Sequence, residues 1–134
     1  MGVIKFAASL IAGPQQAGEG FPSSTVTASI KLSTDPKSFG VATGVISRRI
    51  ASPGAFVALQ GVGSADTVTK GDFLYLKADK DVDLRMSLDN GAGGTDLRIL
   101  TGRVFVVEFS SIKFLKLLEA QGSAQLEYFV SGPS

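Results

Sequence analysis

Three aspartates, Asp79, Asp81 and Asp83, stand at alternate positions, the spacing at which the first ligands of a calcium loop offer oxygen to a hard cation. The pattern then departs. Leu84 stands where such a loop needs glycine, and Asn90 where it needs a bidentate glutamate. Alternate residues of a strand share one face, so the three carboxylates are expected on a solvated face with Arg85, and no metal site is expected. The glycines of residues 90–95 suggest a phosphate cradle. They lack the Lys-Ser/Thr ending of a P-loop and the helix that follows a dinucleotide turn, so turn geometry accounts for them. Glu108 with Asp96 could pair as a glycosidase dyad, but twelve acids scattered over strands supply such pairs by chance.

The chain has no histidine and no cysteine, which removes the usual general base near neutral pH, the commonest transition-metal ligand and every thiolate nucleophile. No enzyme is expected, with no catalytic residue and no cofactor. Flat platforms for sugar rings are scarce, since there is no tryptophan and the only tyrosines are Tyr75 and Tyr128. The nine phenylalanines are packing residues first, because the ring has no polar tip.

These side chains must be positioned by strands. Val82, Leu84, Met86 and Leu88 alternate with Asp83, Arg85, Ser87 and Asp89, and Leu97 and Ile99 resume the alternation after the glycine-rich loop, which together predict an antiparallel hairpin. Residues 3–11 are apolar and read as a first strand in preference to a signal peptide. Residues 13–24, GPQQAGEGFPSS, read as an extended connection or an N-terminal arm. Residues 25–33 alternate clearly. Residues 41–50 and 55–60 predict two strands joined by a Ser52-Pro53-Gly54 turn, and residues 73–78 a strand with two apolar faces. Residues 103–109 also have two apolar faces. Residues 112–120 fit a helix from Ser111 to Gly122. A strand is preferred, because Leu126, Tyr128 and Val130 want a partner, reached across a Gln121-Gly122-Ser123 turn.

Eight to ten short strands with regular turns predict an all-β fold: an antiparallel β-sandwich or jelly-roll-like barrel with an extended N-terminal arm. Residues 1–24 are the arm, or first strand plus loop, and residues 25–134 a single sandwich domain. Thirteen basic against twelve acidic residues, scattered along 134, give no concentrated basic footprint for nucleic acid, and no run is long enough for a transmembrane helix. Apolar residues of both parities in the C-terminal strands exceed what one small domain should leave in water. A homo-oligomer is therefore expected, with Phe105, Phe114 and Phe129 at or beside its interface.

The later half, GDFLYLKADKDVDLRMSLDNGAGGTDLRILTGRVFVVEF with the closing AQLEYFVSG, resembles the small β-sandwich structural proteins of tailed-bacteriophage virions, nearest the capsid decoration, or cement, proteins. The similarity spans residues 70–132 and lies in strand texture and a terminal strand ending in Ser-Gly. The resemblance implies a non-enzymatic viral structural protein, a trimer that binds and stabilises the outer surface of a capsid. Its partner would be the major capsid protein or another virion protein, and it would be assembled in the host cytoplasm. The competing expectation is a receptor- or glycan-binding β-sandwich module, such as a fibre tip.

Overall fold

Period-two alternation governs the chain, and its computed structural model, which describes residues 2–5, 7–12, 26–31, 36–88, 95–109 and 113–133, is all-β. The strands are β1 (Gly2–Ile4), β2 (Ala7–Ala12), β3 (Val26–Lys31), β4 (Lys37–Phe39), β5 (Val41–Ala42), β6 (Ile46–Ala58), β7 (Phe73–Ala78), β8 (Val82–Leu88), β9 (Thr95–Ile99), β10 (Val104–Glu108) and β11 (Leu115–Gly132). Among the described residues there is no helix, and so none long and apolar enough to cross a membrane.

The chain divides into two compact units, Val3–Ser38 and Met1–Gly2 with Phe39–Ser134. In the smaller, β2 and β3 pair antiparallel from Ala7 opposite Lys31 to Ala12 opposite Val26. β1 and β4 form another two-stranded pair. The expected arm stretch, residues 13–24, and the boundary after it lie outside the described residues.

The larger unit is a seven-stranded antiparallel sheet organised by β11. Its two neighbours on one edge, β7 and β8, continue each other in a single register: Ala78 lies opposite Leu126 and, four residues on, Val82 lies opposite Gly122. β10 and β9 continue each other in the same way along the outer side of β7 and β8, with Val104 opposite Lys77 and Ile99 opposite Val82. What looks like four short strands is therefore two long lines of backbone, each interrupted once. The interruptions fall side by side, at residues 79–81 and 100–103, beside Gly122 of β11 and the register shift where β6 crosses it.

A row of breaks across neighbouring strands folds the sheet along that line and makes two layers from one set of strands. One layer holds β7, β10 and the end of β11; the other holds β8, β9 and its beginning. They meet again at Gly71, whose backbone N–H and C=O both bond Leu115 at 2.8 Å. A Cβ built on Gly71 would lie 3.0 Å from Val130 and 3.2 Å from Leu115, so the two ends of β11 converge there and only glycine fits without displacement. The core between the layers includes Leu74, Leu76, Leu84, Leu118, Leu126, Tyr128 and Val130, all 0 % exposed.

Two sequence expectations are corrected. Residues 112–120 and 124–130 do not form a hairpin: β11 runs straight through the expected turn, and Leu118, Ala120, Ala124, Leu126, Tyr128 and Val130 keep one core-facing phase across it. Gly122 accommodates the bend with φ +145°, extra curvature inside a strand in place of a reversal. Ser52-Pro53-Gly54 is likewise no hairpin turn. It is an irregularity within β6, whose two parts both pair with β11, Val57 opposite Ala120 and Ser52 opposite Gly122. Proline is tolerated there because a bulge leaves one N–H out of the ladder.

Candidate functional site

Cross-strand register places the chemistry. On the outer face of the β8–β9 layer, Arg98 lies opposite Asp83 and Asp83 opposite Gln121, a row of three polar side chains on β9, β8 and β11. The Arg98 guanidinium grips Asp83 with two hydrogen bonds, Nε to Oδ1 at 2.8 Å and Nη2 to Oδ2 at 3.1 Å. This planar fork holds the arginine protonated even more firmly than usual. Gln121 Nε2 donates to the Pro53 carbonyl at 3.0 Å. One step along the strand, the Arg85 guanidinium sits 3.9 Å from the centre of the Phe56 ring, a cation on an aromatic face. Phe56, Asp83, Leu97, Arg98 and Gln121 together line an open hollow of about 310 Å³.

The three aspartates do not converge. Asp79 Oδ1 accepts from the Gln125 N–H at 2.7 Å, standing in for a ladder carbonyl where the strand is interrupted. Asp81 Oδ1 accepts from the Thr101 hydroxyl at 2.8 Å and the Thr101 N–H at 2.7 Å, tying the two broken lines of backbone together. Those hydrogen bonds, the hydroxyl first, hold its carboxyl below the ordinary value. Asp83 pairs with Arg98 across the hairpin. Among the described residues no group of three or more acidic side chains is placed to hold a metal ion. Residues 90–94 and the side chain of Asp96 lie outside the described residues. Glu108 stands half-buried on β10 opposite Phe73.

The three expected interface phenylalanines occupy different places. Phe105 lies opposite Leu76 and packs against the core. Phe129 faces outward from β11, edge-on to both Phe39 and Phe73 at 6.1 Å between ring centres. Phe114, half-buried, has the Lys70 ammonium 5.7 Å from its ring centre. Phe105 and Phe129 thus lie on opposite faces of the β7–β10 layer. On its outer face Val104, 53 % exposed, Val106, Tyr75 and Phe129 form an apolar cluster, covered in part by Phe39 and edged by Lys77, opposite Val104, and Glu127, which accepts from the Tyr75 hydroxyl at 2.9 Å.

Sequence reasoning missed the stacking of Arg85 on Phe56, because Phe56 was placed on a separate strand. It also missed Arg48, which shares the inward face of β6 with Leu126 and donates to the Ala58 carbonyl at 2.9 Å. Beside it the fully buried Tyr128 donates its phenol to the Gln60 carbonyl at 2.6 Å, and burial raises the phenol's pKa. An inward charge on an outer strand discourages edge-to-edge pairing, so this arginine serves the fold.

The described strands thus define an all-β, barrel-like protein whose β8–β9 layer carries a charged outer row and whose β7–β10 layer carries an apolar cluster edged by Lys77 and Glu127. Comparison with protein-family models, with curated proteins and with solved structures returned no match to this chain.

Proposed function

We propose that the chain is a non-enzymatic structural protein of a tailed-phage particle, a decoration subunit that associates with its own copies, as a trimer, and seats on the capsid surface. The observation that carries this reading is the outer face of the β7–β10 layer. A free-standing barrel keeps its outer face polar, yet here Val104, Val106, Tyr75 and Phe129 lie on three adjacent strands and Val104 stays 53 % exposed. The resemblance of residues 70–132 to decoration proteins supplies the kind of surface on which such a face would be covered. Phe129, on this face, is the expected interface residue best placed to take part; Phe105 would act from behind it.

Light scattering coupled to size exclusion, followed by co-sedimentation with emptied capsid shells, tests the proposal. The expected result is a mass at a multiple of 13.9 kDa and a protein that pellets with shells. Val106→Lys, a charge placed in the apolar face, should reduce both. A monomer that stays in the supernatant would refute the reading. The second reading, a receptor- or glycan-binding module, is favoured by the hollow beside Phe56, Asp83 and Arg98.

A further inference from the structure

We propose that the hollow on the outer face of the β8–β9 layer is a binding site for a neutral sugar ring, with the Asp83–Arg98 pair as its polar contact and Phe56 as its apolar wall. This names the site and ligand class of the glycan-binding reading and is independent of the capsid seat. Locked together, Asp83 and Arg98 present a carboxylate acceptor directly beside guanidinium donors. A vicinal diol presents the same complement, since each hydroxyl both donates and accepts. The pair is preformed, and its side chains remain accessible at 62 % for Arg98 and 33 % for Asp83. Binding therefore does not need to order two long side chains first.

The other walls fit the same ligand. Gln121 spends an N–H on Pro53, which fixes its amide plane and leaves the oxygen to accept a third hydroxyl. Phe56 supplies the apolar surface against which the C–H face of a sugar ring packs, and the Arg85 guanidinium, 3.9 Å from the ring centre, steadies that ring. Charge narrows the choice. An anion would meet the Asp83 carboxylate, and a cation would meet Arg98, so a neutral polyhydroxylated ring is the ligand that both groups accept. At about 310 Å³ the hollow is at the small end of ligand sites, the scale of a single ring.

The test is an amide-shift titration of the isotope-labelled full chain with the methyl glycosides of glucose, galactose and mannose, with inorganic sulfate in parallel. The expected result is a saturable shift of the amides of Phe56, Asp83, Arg98 and Gln121 with at least one glycoside, and none with sulfate. Arg98→Lys keeps the charge but loses the fork, and Asp83→Asn keeps the shape but loses the carboxylate. Each should weaken binding about tenfold, the scale of one lost hydrogen bond. Phe56→Leu, which keeps apolar volume without the ring, should weaken it too, and circular dichroism checks that each variant is folded. Absence of saturable shifts with all three glycosides, shifts centred elsewhere, equal response to sulfate, or unchanged affinity in the folded variants would overturn the proposal. Loss of shell binding with these shifts intact would refute the capsid reading and leave the sugar site standing.

Discussion

Replacing Gly122 with alanine tests the bend on which the two layers depend. Gly122 has φ +145°, a region that residues with a side chain enter only at a cost of about 1–3 kcal/mol. A methyl built there would also lie 3.3 Å from the Asp81 carbonyl oxygen and 3.5 Å from the Val82 Cα, backbone atoms on the neighbouring line that cannot swing aside. The expected loss is about 2–4 kcal/mol, or about 8–16 °C in Tm for a domain of this size. Gly54, in the adjoining irregularity of β6, is the internal control. It has no positive φ and nothing within 4 Å of a built Cβ, so Gly54→Ala should be neutral or stabilise by up to about 1 kcal/mol. Urea unfolding monitored by circular dichroism reads both variants, with unchanged m-values as the check that the same surface unfolds. Equal midpoints for the two, or a loss below about 0.5 kcal/mol for Gly122→Ala, would refute a strained bend in a continuous strand.

Other substitutions separate core from surface. Leu84→Ala, at a site with no exposure opposite Leu97 and Ala120, should cost about 2–5 kcal/mol. Asp83→Asn, which removes an ion pair largely open to water, should cost about 0–1 kcal/mol; equal shifts in denaturation midpoint would contradict the assigned faces. Tyr128→Phe deletes the phenol that satisfies the Gln60 carbonyl and should cost about 1–2 kcal/mol by thermal unfolding, whereas a neutral result would mean that water takes its place. Asp81 titrates below its unfolded value of 3.8, so its tie to Thr101 contributes stability above that pH and loses it as the pH falls through the folded value. In Asp81→Asn the part of the acid-side fall in urea midpoint below about pH 4 due to this group should vanish; an unchanged acid limb would exclude it.

The sequence made the alternation legible but not the corners. Strands 73–78 and 82–88 were readable from period two, and so was the opposition of Leu84 and Leu97. The turns at Ser52-Pro53-Gly54 and Gln121-Gly122-Ser123 were misread because glycine and proline mark both reversals and bends, and local composition does not distinguish them. Phase does. Core residues stay on even positions from Leu118 through Val130, whereas in β6 the core position Ile50 and the core-facing Val57 differ in parity, as a bulge requires. The candidate site was half visible. Asp83 and Arg85 could be assigned to a wet face, but the choice of Arg98 as partner depends on register across a loop, and the Phe56 contact depends on the β6 bulge.

The corner also explains how one set of strands carries two unlike surfaces. Each long line of backbone changes its outward chemistry as it passes the bend. The β7–β8 line has Phe73, Tyr75 and Lys77 on one side and Asp83 and Arg85 on the other, the β9–β10 line has Arg98 and then Val104, Val106 and Glu108, and β11 has Glu119 and Gln121 and then Glu127 and Phe129. The core does not require this apolar cluster, because these positions all point away from it. Clustering of that kind suits the charged layer to water and small polar ligands and the apolar cluster to contact with protein. A seat on a larger surface and a sugar-binding groove are therefore compatible in one molecule, since each uses a different side of the fold.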